Sequence, residues 1–372
     1  MTTKFARRSV MAAALATATA LAFTPAAAQD KIKLRLSAVS SDTDQRAVAL
    51  LEKFGPMVSE IADFEPHWNA TLFAQGTELE AIAVGDLEMS ITSAQELATF
   101  FPEFSIFTAG YVHQDAAHQV AVFNDPLMDD FKQKAEDELG VKLLTVMYLG
   151  RRQVNLRQTK DELTVMTPED LAGVNLRMPG TDAWQFLGRA LGANPTPMAF
   201  TEVYTALSTG SVDGQDNPLP TVVDAKFYEV TNQIVLTSHL VDLNYLALSK
   251  ATWDSMTPEQ QEVVQAAADA TAEFARENQL QKEAELGSFL EEQGLAVYEP
   301  DVAAFRERVQ TMYLDSEYAE TWPEGLLEKI NALQDSGRSS IIVAGDCNMH
   351  PEDWCTDILD KMQLTIIIPD TP

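Results

Sequence analysis

Cysteine is almost missing from this 372-residue chain: there are two, Cys347 and Cys355, both near the C-terminus. The body of the protein must therefore hold together through its apolar core, although the two thiols are available to each other in an oxidising compartment. Basic residues are scarce as well, with 26 Lys and Arg against 56 Asp and Glu, a formal charge of −30. Sequence-independent binding to nucleic acid needs clustered cations to neutralise phosphates, so the shortage excludes nucleic acid as a partner. After the first two dozen residues no apolar run reaches the roughly 18 residues that a bilayer helix requires, and the mature chain is not expected to span a membrane. Repeats at solenoid periods and low-complexity linkers are lacking too. What is present is a hydrophobic fraction of 46% and a charged fraction of 22%. That supports a full core, and the length favours two domains over one.

Residues 1–28 read as a secretory leader, with Lys4, Arg7 and Arg8 as a basic start, an apolar run from Val10 to Phe23, and Ala26-Ala27-Ala28 as a cleavage site. Removing it takes away three basic and no acidic residues and moves the charge from −30 to −33. Beyond it, Lys31–Val39 alternates as a half-buried strand, and Ser40, Ser41 and Asp42 offer N-caps for a helix over about 43–61. Strands are expected near 64–68, 87–92, 141–147 and 174–178, with helices at 77–84, 117–140, 181–191 and 201–208. Thr167-Pro168-Glu169-Asp170 and Thr257-Pro258-Glu259-Gln260 are capped helix starts. The second opens a long amphipathic helix running to about 290, with Val263, Ala267, Ala270 and Phe274 on its apolar stripe. Alternation of strand and helix at this spacing predicts an α/β architecture of sheets flanked by helices.

The stretch 150–220 carries isolated arginines at strand positions with apolar neighbours, Arg152 and Arg177 above all. A buried guanidinium needs an anionic partner, because an unpaired buried charge costs several kcal/mol. Its fork matches a carboxylate in two parallel hydrogen bonds. That carboxylate belongs either to a ligand or to one of the 56 internal acids, and Arg157 shares the ambiguity. Arg151 should face the other side of the strand.

The segments GVNLRMPG and NPTPMAFTEVYTALSTGSVDGQDNPL, together with the opening strand, GTELEAIAVGDLEMSI and TPEQQEVVQAAA, resemble in order the solute-binding subunits of tripartite ATP-independent periplasmic (TRAP) transporters, over roughly residues 31–330. The resemblance implies a two-lobed α/β periplasmic-binding-protein fold, each lobe a sheet flanked by helices, a ligand cleft between the lobes and long C-terminal helices. It places lobe I at 31–154 plus 243–282 and lobe II at 155–242 plus 283–332. It implies a periplasmic binder, not an enzyme, with no cofactor or metal, that delivers a small organic acid to TRAP membrane permease subunits. Carried over by motif, Arg177 is the carboxylate clamp and Arg152 a second anion contact. Asn217 reaches the ligand from the second lobe, Phe200 walls the pocket, and Glu78 reads polar groups. Trp184 is a further lining candidate. Ser37 and Ser93 stand where sialic-acid binders carry Asn and Glu, which departs from the sialic-acid pattern.

Two other features stand apart. His113 and His118 flank Asp115 but have no third ligand in register, so they read as ordinary histidines of a loop and a helix surface. From about residue 336 the chain leaves the family pattern as a C-terminal extension. Its IIVAGDCNMH run resembles the GDxN strand of metal-dependent phosphoesterases, and this makes an exported hydrolase using Asp346, Asn348 and His350 the alternative function.

Overall fold

The computed structural model describes residues 31–334, so the leader and the 336–372 extension with Cys347, Cys355, Asp346, Asn348 and His350 lie outside the described residues. Among the described residues nine strands form one mixed sheet. They are β1 (Ile32–Ser37), β2 (Ala62–His67), β3 (Met89–Ser93), β4 (Val141–Leu156), β5 (Asn175–Met178), β6 (Asn194–Pro197), β7 (Gly214–Asn217), β8 (Gln233–Ser249) and β9 (Ala296–Tyr298). The order is β2-β1-β3-β8-β4-β7-β5-β6, with β9 pairing β8. At one side β1 pairs in parallel with β2 and β3, and at the other β5 pairs in parallel with β6 and β7. Helices 45–49, 78–83, 182–190 and 203–209 cross between these parallel strands, as the alternating pattern requires.

The two parallel groups are joined by β4 and β8, antiparallel strands of 16 and 17 residues whose ladder slips register three times. The expected strand 141–147 thus continues straight through the arginines. A slip lies between Tyr148 and Gly150, where Gly150 adopts φ 125°. Glycine is required there, since a Cβ would sit 2.7 Å from the Glu283 carboxylate and 2.7 Å from the Pro218 ring. The result is a bulge that bends the strand without ending it.

The long helix is Pro258–Glu292, and Thr257 with Gln260 completes the capping box at its start. Its buried stripe is Val264, Ala267, Ala268, Thr271, Ala272 and Ala275, rotated by about one position from the expected one. Alanines on this face let the helix lie against β4, where Gln265 donates to the Leu144 carbonyl at 2.9 Å. Asp44, and not Ser40–Asp42, caps the first helix, accepting from the Arg46 amide. The Thr167 start yields a single 3₁₀ turn, 168–171. His113 and His118 are not surface residues as expected: both are buried, with ring centroids 5.3 Å apart. His118 Nε2 meets the Ile330 carbonyl at 2.8 Å, so the helix Leu326–Ala332 packs over His118.

Candidate functional site

The parallel strands β1, β3, β5 and β7 end around one cavity, the usual place for a ligand in an α/β sheet. Ala38, Val39 and Ser40 follow β1, Ser93 ends β3, Arg177 lies on β5 with Pro179 just beyond it, and Asn217 ends β7. The crossing strands add Arg152 from β4 and Asn244 from β8. Helical segments supply Arg46, Glu78, Glu96, Trp184, Phe200 and Thr221. A cavity of about 490 Å³ adjoins it, sharing Val39, Ser40, Phe200 and Thr221.

Seven of the eight residues expected at the site line this cavity: Arg177, Arg152, Asn217, Phe200, Glu78, Ser93 and Trp184. Ser37 does not. It is the last residue of β1, fully buried, with its hydroxyl unpartnered within the sheet opposite Ser90. Its neighbours Leu36 and Ala38 are buried too, and the cavity lining on this strand begins one residue later, at Ala38.

The two main arginines answer the ambiguity of their buried charge differently. Arg152 has internal acids: its Nε donates to Asp242 at 2.6 Å, and its Nη1 lies 3.4 Å from the Asp216 carboxylate. Burial alone would lower its pKa, but Asp242 and Asp216 outweigh that and hold it above the usual arginine value. Arg177 is 1% exposed and makes no ion pair among the described residues. Its Nε and Nη2 both donate to the Met198 carbonyl, at 3.0 and 2.7 Å. Burial, acting against the cation, pushes its pKa down to about 9. Phe200 lies 5.8 Å from this guanidinium and Trp184 4.4 Å from that of Arg152, so each arginine is held against an aromatic face.

A buried polar chain fixes these groups. Asn217 accepts from Arg152 Nη1 at 3.3 Å and donates to Gln215 at 2.5 Å, and Gln215 donates to Asn155 at 3.0 Å. Asp216 contacts His239 Nε2 at 3.1 Å, and His239 Nδ1 meets the Thr237 hydroxyl at 2.8 Å. Such second-layer partners limit the rotamers of the lining side chains and so pre-form the site.

Sequence reasoning missed Arg46, Glu96, Gln75 and Asn244. Arg46 reads as an ordinary first-turn charge, yet it forks onto Asp44 through Nε and Nη2 and donates to Asn244 through Nη1. Glu96 closes a capping box with Ser93, a signal visible as S-x-x-E. Gln75 accepts from the Phe200 amide at 2.8 Å, linking segments 125 positions apart over the cavity.

The description "Bacterial extracellular solute-binding protein, family 7" matches residues 37–320. The chain belongs to this family. It is a TRAP solute-binding protein, and this family is one of binding proteins for sugar acids and other carboxylates, not of enzymes. A solved TRAP periplasmic solute-binding protein from Roseobacter denitrificans, with bound 3-deoxy-D-manno-oct-2-ulosonic acid (KDO), is 74% identical with a TM-score of 0.81. It covers 82% of this chain and 100% of that one. Another from the same organism, with bound L-galactonate, is 26% identical with a TM-score of 0.72, over 81% of this chain and 98% of that one. The sialic acid-binding periplasmic protein SiaP of Vibrio cholerae is 30% identical over 259 residues, 68% of this chain and 77% of the relative. The alternative of an exported phosphoesterase finds no support in these relationships. Among the described residues no helix is long and apolar enough to cross a membrane, and no cluster of three or more His, Cys, Asp or Glu is arranged to hold a metal.

Proposed function

We propose that this chain is the periplasmic receptor for an eight-carbon keto sugar acid, KDO, which it delivers to TRAP membrane permease subunits. The observation that carries the reading is Arg177: a buried guanidinium in the cavity, with a carbonyl and no acid as its partner, lacks only an anion. The likeness to the KDO-bound protein at 74% identity supports the choice of acid. In this reading Arg177 clamps the ligand carboxylate, Arg152 and Asn217 contact it from β4 and β7, and Glu78 meets hydroxyls. Phe200 and Trp184 wall the sugar, and Ser37 has no direct part.

Lobe I comprises 31–154 with 243–282, and lobe II comprises 155–242 with 283–332. They close on the solute by bending β4 and β8. The bond from the Phe200 amide to Gln75 joins the two lobes in this division and supports closure. Export follows from the leader read in residues 1–28.

Isothermal titration of the exported protein with KDO tests the proposal, with one-to-one binding expected. Thermal unfolding should shift upward in step, since ligand at about 100 times its Kd adds about 2.7 kcal/mol of stability. Absence of both signals with KDO would overturn the choice of solute.

A further inference from the structure

The charged groups around the cavity differ in how they are paired. Three arginines line it. Arg46 is held by the Asp44 carboxylate through two bonds of 2.8 Å. Arg152 is held by Asp242 at 2.6 Å, with Asp216 at 3.4 Å. Arg177 is the lining cation that makes no ion pair among the described residues. Asp216, shared between Arg152 and the field at Arg177, does not pair with Arg177 directly, so among the described residues this guanidinium is the one lining cation placed to take a carboxylate in a direct ion pair.

The same cavity is lined by two carboxyl groups, Glu78 and Glu96. Glu78 Oε2 accepts from the Gly76 amide at 2.7 Å. Glu96 Oε2 accepts from the Thr92 hydroxyl at 3.0 Å and the Ser93 amide at 2.7 Å. Every hydrogen-bond partner of the pair among the described residues is neutral.

We propose that Glu78 and Glu96, set in a cavity with one unanswered cation, restrict the ligand to a single carboxylate with a hydroxylated remainder and exclude acids that carry a second carboxylate. This rests on the sugar-acid reading above and adds the residues that set its selectivity. A ligand hydroxyl suits the pair in either protonation state, because a carboxylate accepts from it and a carboxylic acid both accepts and donates. A ligand carboxylate suits the pair less well, although a neutral carboxyl can still donate one hydrogen bond to it. Beside an ionised glutamate it is repelled, and beside a neutral one it is buried without a cation. Burial, reinforced by Glu96, raises Glu78 to about 8, in keeping with a pair that has no cation to hold it ionised.

The test compares KDO with the diacid made from it by oxidising the terminal CH2OH to a carboxylate, titrated at pH 8.5 into wild type and into Glu78→Gln/Glu96→Gln. Wild type should bind KDO at least about 100-fold more tightly than the diacid, and the double variant should narrow that ratio at least about tenfold. Glutamine keeps the amide contacts, and Glu78→Gln alone serves if the double variant does not fold. Binding of the diacid by wild type within about threefold of KDO, or an unchanged ratio in the variant, would overturn the charge rule while leaving the sugar-acid reading intact. Failure of KDO itself to bind would overturn that reading, and the charge rule with it.

Discussion

Replacing Arg177 by methionine should push stability and binding in opposite directions. The guanidinium is buried, and the fall of its pKa from 12.5 to about 9 corresponds to about 5 kcal/mol acting against the cation in the empty protein. Methionine removes that burden with an unbranched apolar side chain that replaces the arginine stem but stops short of the guanidinium, at some packing cost. It also removes two donors from the Met198 carbonyl, and an unsatisfied buried acceptor costs about 1–3 kcal/mol. The ligand-free variant should therefore be more stable than wild type by roughly 2 kcal/mol. Binding should collapse, because a ligand carboxylate buried without its cation costs about 3–5 kcal/mol, or two to four powers of ten in Kd. Urea unfolding without ligand gives the first quantity and calorimetric titration with KDO the second. A variant that binds within about tenfold of wild type, or that loses stability, would refute the assignment of Arg177 as an unanswered cation.

Two further outcomes follow from the geometry. Gly150→Ala places a methyl group 2.7 Å from Glu283 and Pro218 at a left-handed φ, so it should cost about 2 kcal/mol or more and lower the thermal midpoint visibly. Glu78 has a folded pKa of about 8 against 4.5 for the free group, so the stability it contributes is full below about pH 4.5 and lost as pH rises to about 8. Glu78→Gln does not titrate and should gain on wild type between pH 5 and pH 9, as read by urea unfolding at both ends of the range.

The contrast between Arg177 and Arg152 marks how far the sequence could be read. Arg177 stands between Leu176 and Met178 in an extended segment, whereas Arg152, flanked by Arg151 and Gln153, is marked only by its strand position. Which of them is answered internally depends on Asp242, 90 positions from Arg152 and brought beside it by the β4–β8 ladder. No local pattern encodes that pairing. The helix Pro258–Glu292 was clear from its capping box, whereas its contact face moved by one position because the neighbouring strand, and not the helix alone, selects the stripe. Ser37 matched a family position by motif, but the cavity lining begins one residue further on, where β1 ends, and no short pattern marks where a strand stops. His118 looked like a surface histidine because the helix that packs over it lies some 200 residues further along the chain. Arg46 and Asn244 were invisible for a related reason, since they meet only through contact across 198 positions.

The stacking of Trp184 on Arg152 also gives the molecule an optical reporter. Of the five tryptophans in the chain, Trp184 has its indole against a cationic cavity group at 4.4 Å. A solute anion arriving beside that guanidinium changes the electric field across the ring, and excited indole states respond to such fields by shifting their emission. Occupancy can thus be followed by the protein's own fluorescence in a stopped-flow mixer, without a label and on the time scale of capture itself.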